Sequence, residues 1–206
     1  MYKEIIENLY CDRMSVEDAT MSFDLDMFVP FISRMMGDKS VLMIKMDGER
    51  KKDIYTIVCT GELVGEEKSL RTNISDLEEG IAYVCCQYAK AVWGWDIRNF
   101  SGTYKKIFES LYADHMIMSD ISLSDDLDVF LPFISKMRED QSIFLIRIDG
   151  RRDDDIYLVH CSGKILGEHN PISIDTSDLE EGVAYVCCKY AEIVWGRDLK
   201  EYQVYR

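Results

Sequence analysis

Asp76-Leu-Glu-Glu-Gly-Ile-Ala-Tyr-Val-Cys-Cys-Gln-Tyr-Ala-Lys-Ala-Val-Trp-Gly94 returns almost letter for letter as Asp178-Leu-Glu-Glu-Gly-Val-Ala-Tyr-Val-Cys-Cys-Lys-Tyr-Ala-Glu-Ile-Val-Trp-Gly196. The offset is 178 − 76 = 102, and the same spacing carries Tyr2 to Tyr104, Pro30 to Pro132, Asp47-Gly48 to Asp149-Gly150 and Cys59 to Cys161 without a gap. The sequence therefore reads as two copies of one unit of ordinary domain size, residues 1–101 and 102–206.

The quoted stretch predicts a buried helix. Ser75 and Glu78, with Ser177 and Glu180 in the second copy, have the spacing of a reciprocal capping box. Asp76, Glu78 and Glu79 place negative charge in the first turn, where the helix dipole favours it, and Gly94 or Gly196 can end the helix. At about 100° per residue the apolar positions cover most of the circumference. Only a seam through 83, 87, 90, 91 and 94 is left for water or a partner, and the copies differ at 87, 90 and 91. Gly80 and Gly182 lie inside the helix at roughly 1 kcal/mol relative to Ala, which points to a close contact. Tyr83 and Tyr185 share that seam. They either pack the two units together or face a ligand, and packing is favoured.

In chain order, Tyr2, Ile5, Ile6, Leu9 and Tyr10 recur at helical spacing, as do Tyr104, Ile107, Phe108, Leu111 and Tyr112, so each unit opens with a short amphipathic helix. A surface connection follows, Met14 to Phe23 and Met116 to Asp125. A second helix holds Pro30 or Pro132 in its first turn, which places its start, and its cap, near Asp26 and Asp128. Ser40 to Met46 and Ser142 to Ile148 read as strands with Leu42, Ile44 and Met46 on one face. Asp47-Gly48 leads through a hairpin into a second strand from Asp53, and Ser69 to Ile74 makes a third. The expected fold is α+β, a tandem duplication of an α-α-β-β-β-α unit, each a small antiparallel sheet covered by helices. Apolar residues on the second sheet face (Val41, Met43, Val58) suggest that two such faces meet with pseudo-twofold symmetry. The linker from Asn99 to Thr103 leaves the units little independence.

Composition narrows the function. The chain has 24 Lys and Arg against 38 Asp and Glu, a formal net charge of −14. That field disfavours direct contact with nucleic acid or an anionic membrane and speeds encounter with a basic partner. No apolar run approaches a membrane span, and the first residues carry acids where a signal peptide needs apolar ones, so a cytoplasmic protein is expected. Of seven cysteines, Cys11 has no counterpart, and the rest fall in expected strands and helices, so they read as free buried thiols. Cys85-Cys86 and Cys187-Cys188 diverge by about 100° on a helix and have no spaced partner to complete a metal set.

His115, His160 and His169 occur only in the second copy. His160 and Cys161 are strand neighbours pointing to opposite faces, which argues against a nucleophilic pair. The sequence has no glycine-rich phosphate loop, zinc-protease motif, nucleophile elbow or calcium loop. No cofactor is expected. Asp125, Asp126 and Asp128, with Asp153, Asp154 and Asp155, read as solvated carboxylates rather than a cation site, and Asp125, Asp126, Asp128, Asp153 and Asp154 are candidate contacts for a basic partner.

One pattern is kept by both copies: Asp47-Gly48-x-Arg50-x-x-Asp53-Ile54-Tyr55 and Asp149-Gly150-x-Arg152-x-x-Asp155-Ile156-Tyr157. The favoured reading is a turn braced by an Arg–Asp bridge. The alternative makes Asp47, Arg50, Tyr55, Arg152 and Tyr157 contact residues at an interface, as Arg and Tyr are enriched there. The expected function is a non-enzymatic protein-binding protein, an immunity-type inhibitor of a basic toxin such as a nuclease. It would act as a monomer or weak homodimer. The alternatives are a nucleic-acid-mimic inhibitor, an enzyme with a site between the copies near Tyr83 and Tyr185, and an assembly module.

Overall fold

The computed structural model describes residues 28–65, 68–96, 103, 104, 106, 130–167 and 170–198. Within them lie helix α1 (Val29–Gly37), strands β1 (Val41–Asp47), β2 (Tyr55–Thr60) and β3 (Leu70–Ile74), and helix α2 (Leu77–Val92). The second half gives α3 (Leu131–Glu139), β4 (Ile143–Asp149), β5 (Tyr157–Ser162), β6 (Ile172–Thr176) and α4 (Leu179–Ile193). A short 3-10 turn follows β2 at Glu62–Val64 and β5 at Lys164–Leu166. The expected opening helices and the connections after them fall outside the described residues, apart from Thr103, Tyr104 and Lys106.

The fold is α+β, with one six-stranded antiparallel sheet in the order β3-β2-β1-β4-β5-β6. This corrects the expectation of two small sheets meeting face to face. The halves join edge to edge through β1 and β4, where Ile44 lies opposite Ile146, and Val41↔Asp149 and Asp47↔Ile143 flank it symmetrically. Backbone N–H and C=O groups on two free edges demand partners, and pairing the edges satisfies both rows at once. The join runs one step past each strand: Gly48 N–H donates to the Ser142 carbonyl at 3.0 Å and Gly150 N–H to that of Ser40 at 2.9 Å.

Those bonds explain the Asp-Gly pairs differently from the sequence reading. Neither Gly48 nor Gly150 has a positive φ; the left-handed residues of the hairpins are Asp53 (φ 50°) and Asp155 (φ 48°). Glycine is required because the backbones approach so closely. A Cβ on Gly150 would lie 2.5 Å from the Met36 carbonyl oxygen and 2.9 Å from that of Ser40.

One sheet face carries the core. Strand alternation turns Leu42, Met46, Ile57 and Cys59, with Phe144, Ile148 and Val159, toward the helices, and all are buried. α2 lies over β2 and β3, and α4 over β5 and β6. Gly80 and Gly182 supply the expected close contact, to side chains of the sheet: a Cβ on Gly80 would meet the Ile57 Cδ1 at 2.6 Å and the Ile74 Cγ2 at 2.7 Å. On the other face Met43, Val58, Leu145 and Leu158 are half-buried and stand outside the core cluster, and among the described residues no second sheet covers Met43 and Val58.

Two caps differ from expectation. Phe28 and Phe130 occupy the N-cap positions of α1 and α3, with no side-chain cap, while Asp26 and Asp128 lie outside the described residues. Proline in the first turn, which lacks an N–H to satisfy, sets the start instead. For α2 and α4 the cap is Asp76 or Asp178, whose carboxylate accepts from the N–H of Glu79 or Glu181 at 2.9 Å.

Gly150→Ala should therefore lower unfolding stability by about 2 kcal/mol, since the backbone join must open to admit a methyl group. Gly37→Ala, with nothing within 4 Å of the added carbon, should change it by less than about 1 kcal/mol. Urea denaturation of the two variants checks the contrast.

Candidate binding surface

The motif shared by both hairpins is a brace. Arg50 Nε lies 3.2 Å from Asp47 Oδ2, and its Nη1 donates to the Asp53 carbonyl, Thr56 Oγ1 and Asn73 Oδ1 at 3.3 to 3.4 Å. Arg152 reaches the Asp155 carbonyl at 3.1 Å and Asp175 Oδ1 at 2.6 Å, with Asp149 at 3.9 Å. Ser75 and Ser177 complete the brace rather than the helix caps. Each hydroxyl accepts from the N–H of Asp53 or Asp155, at 3.0 and 2.9 Å, and donates back to that residue's carboxylate. The left-handed aspartates are thereby held in place.

Asp47 and Asp149 are buried at the roots of the hairpins. Asp47 accepts from Lys45 Nζ at 2.9 Å. Asp149 takes a two-point contact from Arg151, at 3.0 and 3.2 Å, and that guanidinium holds its carboxyl below the usual carboxylate range.

Tyr55 and Tyr157 are not surface contacts. They are 3% and 7% exposed, because alternation along β2 and β5 turns them into the core with Ile57 and Val159. Burial pushes the Tyr55 hydroxyl up to about 12. Tyr83 packs edge-on against Tyr104 with ring centres 4.7 Å apart, so it ties α2 to the start of the second half. Tyr185 is half-buried on α4. The helices sit over opposite outer thirds of the sheet with β1 and β4 between them, four strand spacings or about 19 Å apart, so these two tyrosines do not form one site.

Asp153 and Asp154 are exposed at the tip of the β4–β5 hairpin. The equivalent tip in the first half carries Lys51 and Lys52. The two tips lie at opposite ends of the β1–β4 pair, about 20 Å apart, so the candidate contacts form two loops rather than one patch. Asp125, Asp126 and Asp128 lie outside the described residues. No protein-family model, curated protein or solved structure matches the chain.

A buried network that the sequence reading missed occurs in each half. Tyr88 OH donates to Asp38 Oδ2 at 3.2 Å, so its oxygen is left to accept from Ser40 Oγ at 2.7 Å, and Trp93 Nε1 donates to the same carboxylate at 2.8 Å. Ser142, Tyr190, Asp140 and Trp195 repeat it at 2.8, 3.2 and 2.9 Å. Retention of all four residue types at the 102 offset was the available signal. Both serines are fully buried, and burial pushes the Tyr88 hydroxyl up to about 12, so the network is built to anchor rather than to react.

The six described cysteines are free and buried, and burial raises the thiols of Cys59, Cys86, Cys161 and Cys188 to about 12. Their thiolates are scarce at neutral pH. Among the described residues no group of three or more His, Cys, Asp or Glu side chains is placed to hold a metal ion. Among them, too, no helix is long and apolar enough to cross a membrane. His160 points away from Cys161, onto the sheet face turned away from the helices, beside a shallow groove of about 350 Å³ lined also by Ser162, Gly163, Lys164, Gly167 and Pro171.

Tyr88→Phe should leave the Ser40 hydroxyl buried without its acceptor and lower stability by about 1 to 2 kcal/mol, read from the urea midpoint. Burial lowers the His160 pKa. The unfolded chain then binds that proton more readily, so the stability His160 contributes is whole above the unfolded value of about 6.5 and is lost as pH falls through it. Thermal melts between about pH 7.5 and 5.5 should show a shallower loss for His160→Gln than for the wild type.

Proposed function

We propose that the chain is a non-enzymatic, cytoplasmic binding protein of the immunity type, which neutralises a basic protein such as a nuclease toxin by docking directly onto it. The observation that carries this reading is the β4–β5 hairpin. Asp153 and Asp154 stand exposed at its tip, while Arg152 is turned back onto Asp175 and Ser177 fixes Asp155. Carboxylates presented on a braced loop lose little freedom when they meet a cationic surface. The net charge of −14 draws such a partner in from a distance.

We also read the chain as a tandem copy of one unit, residues 1–101 and 102–206, set about a pseudo-twofold axis through Ile44 and Ile146. The repeat at 102 and the self-equivalent register of β1 and β4 support this. The tips then differ in charge while each half keeps an Arg and a Ser that brace its hairpin, which suits a protein that docks through one half and keeps the other as scaffold.

Titration of the immobilised chain with candidate basic nucleases at about 50 and 300 mM salt tests the proposal. We expect tight binding that weakens with salt, and an association rate about tenfold lower for the Asp153→Asn, Asp154→Asn double variant. Affinity indifferent to salt, or no basic partner at all, would sink it.

A further inference from the structure

The sheet face turned away from the helices balances its charges, Lys45, Arg71 and Arg147 against Asp47, Asp149 and Asp175, whereas the whole chain carries −14. The register aligns Arg71, Val58, Met43, Arg147, Leu158 and Asp175 in one row across all six strands. In the next row Lys45 lies directly opposite Leu145. The middle of the face is thus a half-buried aliphatic strip, Met43 with Val58, Leu145 and Leu158, studded with two bases.

The acids of this face are already engaged. Asp47 accepts from Lys45 at 2.9 Å, Asp149 from Arg151 at 3.0 Å and Asp175 from Arg152 at 2.6 Å. None of the three is hydrogen-bonded to Arg71 or Arg147 among the described residues, though the Arg147 charge helps to hold the Asp149 carboxyl down. Moreover, Arg147 Nε is buried and has no hydrogen-bond partner among the described residues. Arg147 itself is only half-buried, and a carboxylate drawn up to its guanidinium would offset the cost of the Nε donor that lacks an acceptor.

We propose that this face is a second docking surface, and that it takes an acidic, aliphatic-rich segment of a protein partner, with an Asp or Glu carboxylate set against the Arg147 guanidinium. Charge complementarity selects this occupant: a planar fork of donors fits a carboxylate, and the flanking aliphatic groups fit apolar side chains. A second copy of the chain would bring Arg147 and Lys45 against the same bases. The footprint agrees. Five strand spacings of about 4.8 Å by a strand length of about 20 Å give about 480 Å², below the ~800 Å² per side of a standard protein interface but suited to one docked segment. The surface is independent of the acidic hairpin, and each can fail without the other.

The probe is a short fluorescein-labelled peptide of Glu, Leu and Ser, compared with the same peptide carrying Lys for Glu, by fluorescence anisotropy on the full chain. Arg147→Met keeps an aliphatic stem and removes the unanswered donor, so the fold should be retained, as its melting temperature will show. The Glu peptide should bind in preference to the Lys peptide, and Arg147→Met should weaken it at least about tenfold. The Asp153→Asn, Asp154→Asn variant should bind it within about twofold of wild type. Equal affinity for both peptides, or a folded Arg147→Met protein that binds as before, overturns the proposal. So does a wild-type dimer in sedimentation that Arg147→Met dissociates, which would make a second copy the occupant.

Discussion

The pairing of β1 with β4 is the contact on which everything else rests. Each strand has a buried neighbour on one side only, β2 for β1 and β5 for β4, and without the join each would present a row of unpaired backbone groups. Joining them yields a continuous sheet on which the helices of both halves share one core, from Phe28 and Leu42 across to Val159 and Tyr190. The larger core also buries a greater share of the chain than either three-stranded half could manage alone.

The same join positions the surfaces. Because β1 and β4 are antiparallel, each hairpin tip is carried to the far end of the other half, where Gly48 and Gly150 dock against Ser142 and Ser40. Those serines also begin the buried Ser–Tyr–Asp–Trp networks, so the path from a hairpin to the helix of the opposite half is a chain of short hydrogen bonds. The tips therefore stand on a rigid base. Among the differences between the halves are Lys51 and Lys52 against Asp153 and Asp154 at the tips, and Arg34 stacked 4.3 Å over Trp93 and 5.4 Å from Trp95, a position filled by Arg197 in the second half.

Charge is sorted rather than spread. Arginines of the hairpins turn inward onto Asp47, Asp149 and Asp175, leaving Asp153 and Asp154 exposed at one tip and the Arg147 Nε without a hydrogen-bond partner among the described residues. An acidic chain thus has one sheet face whose own charges balance, which sequence totals alone average away.

By itself the sequence determined the α+β class, the strands, the heavily buried helix of each half, its close contact at Gly80 and Gly182 and the free state of the described cysteines. All of these follow from periodicity and residue type within a short window. Only the tertiary structure decided that the halves share one sheet, because backbone edges pair through groups that every residue carries and side-chain patterns do not mark. The roles of neighbouring residues were decided there too. Ser75 and Asp76 are equally good caps on paper, and the nearby Asp53 loop drew Ser75 away. Tyr55 looked like an interface residue until the helices were seen to cover its side of the sheet. Gly48 and Gly150 looked like turn formers, whereas the space they leave belongs to the opposite half, about a hundred residues away in the chain and a hydrogen bond away in the fold.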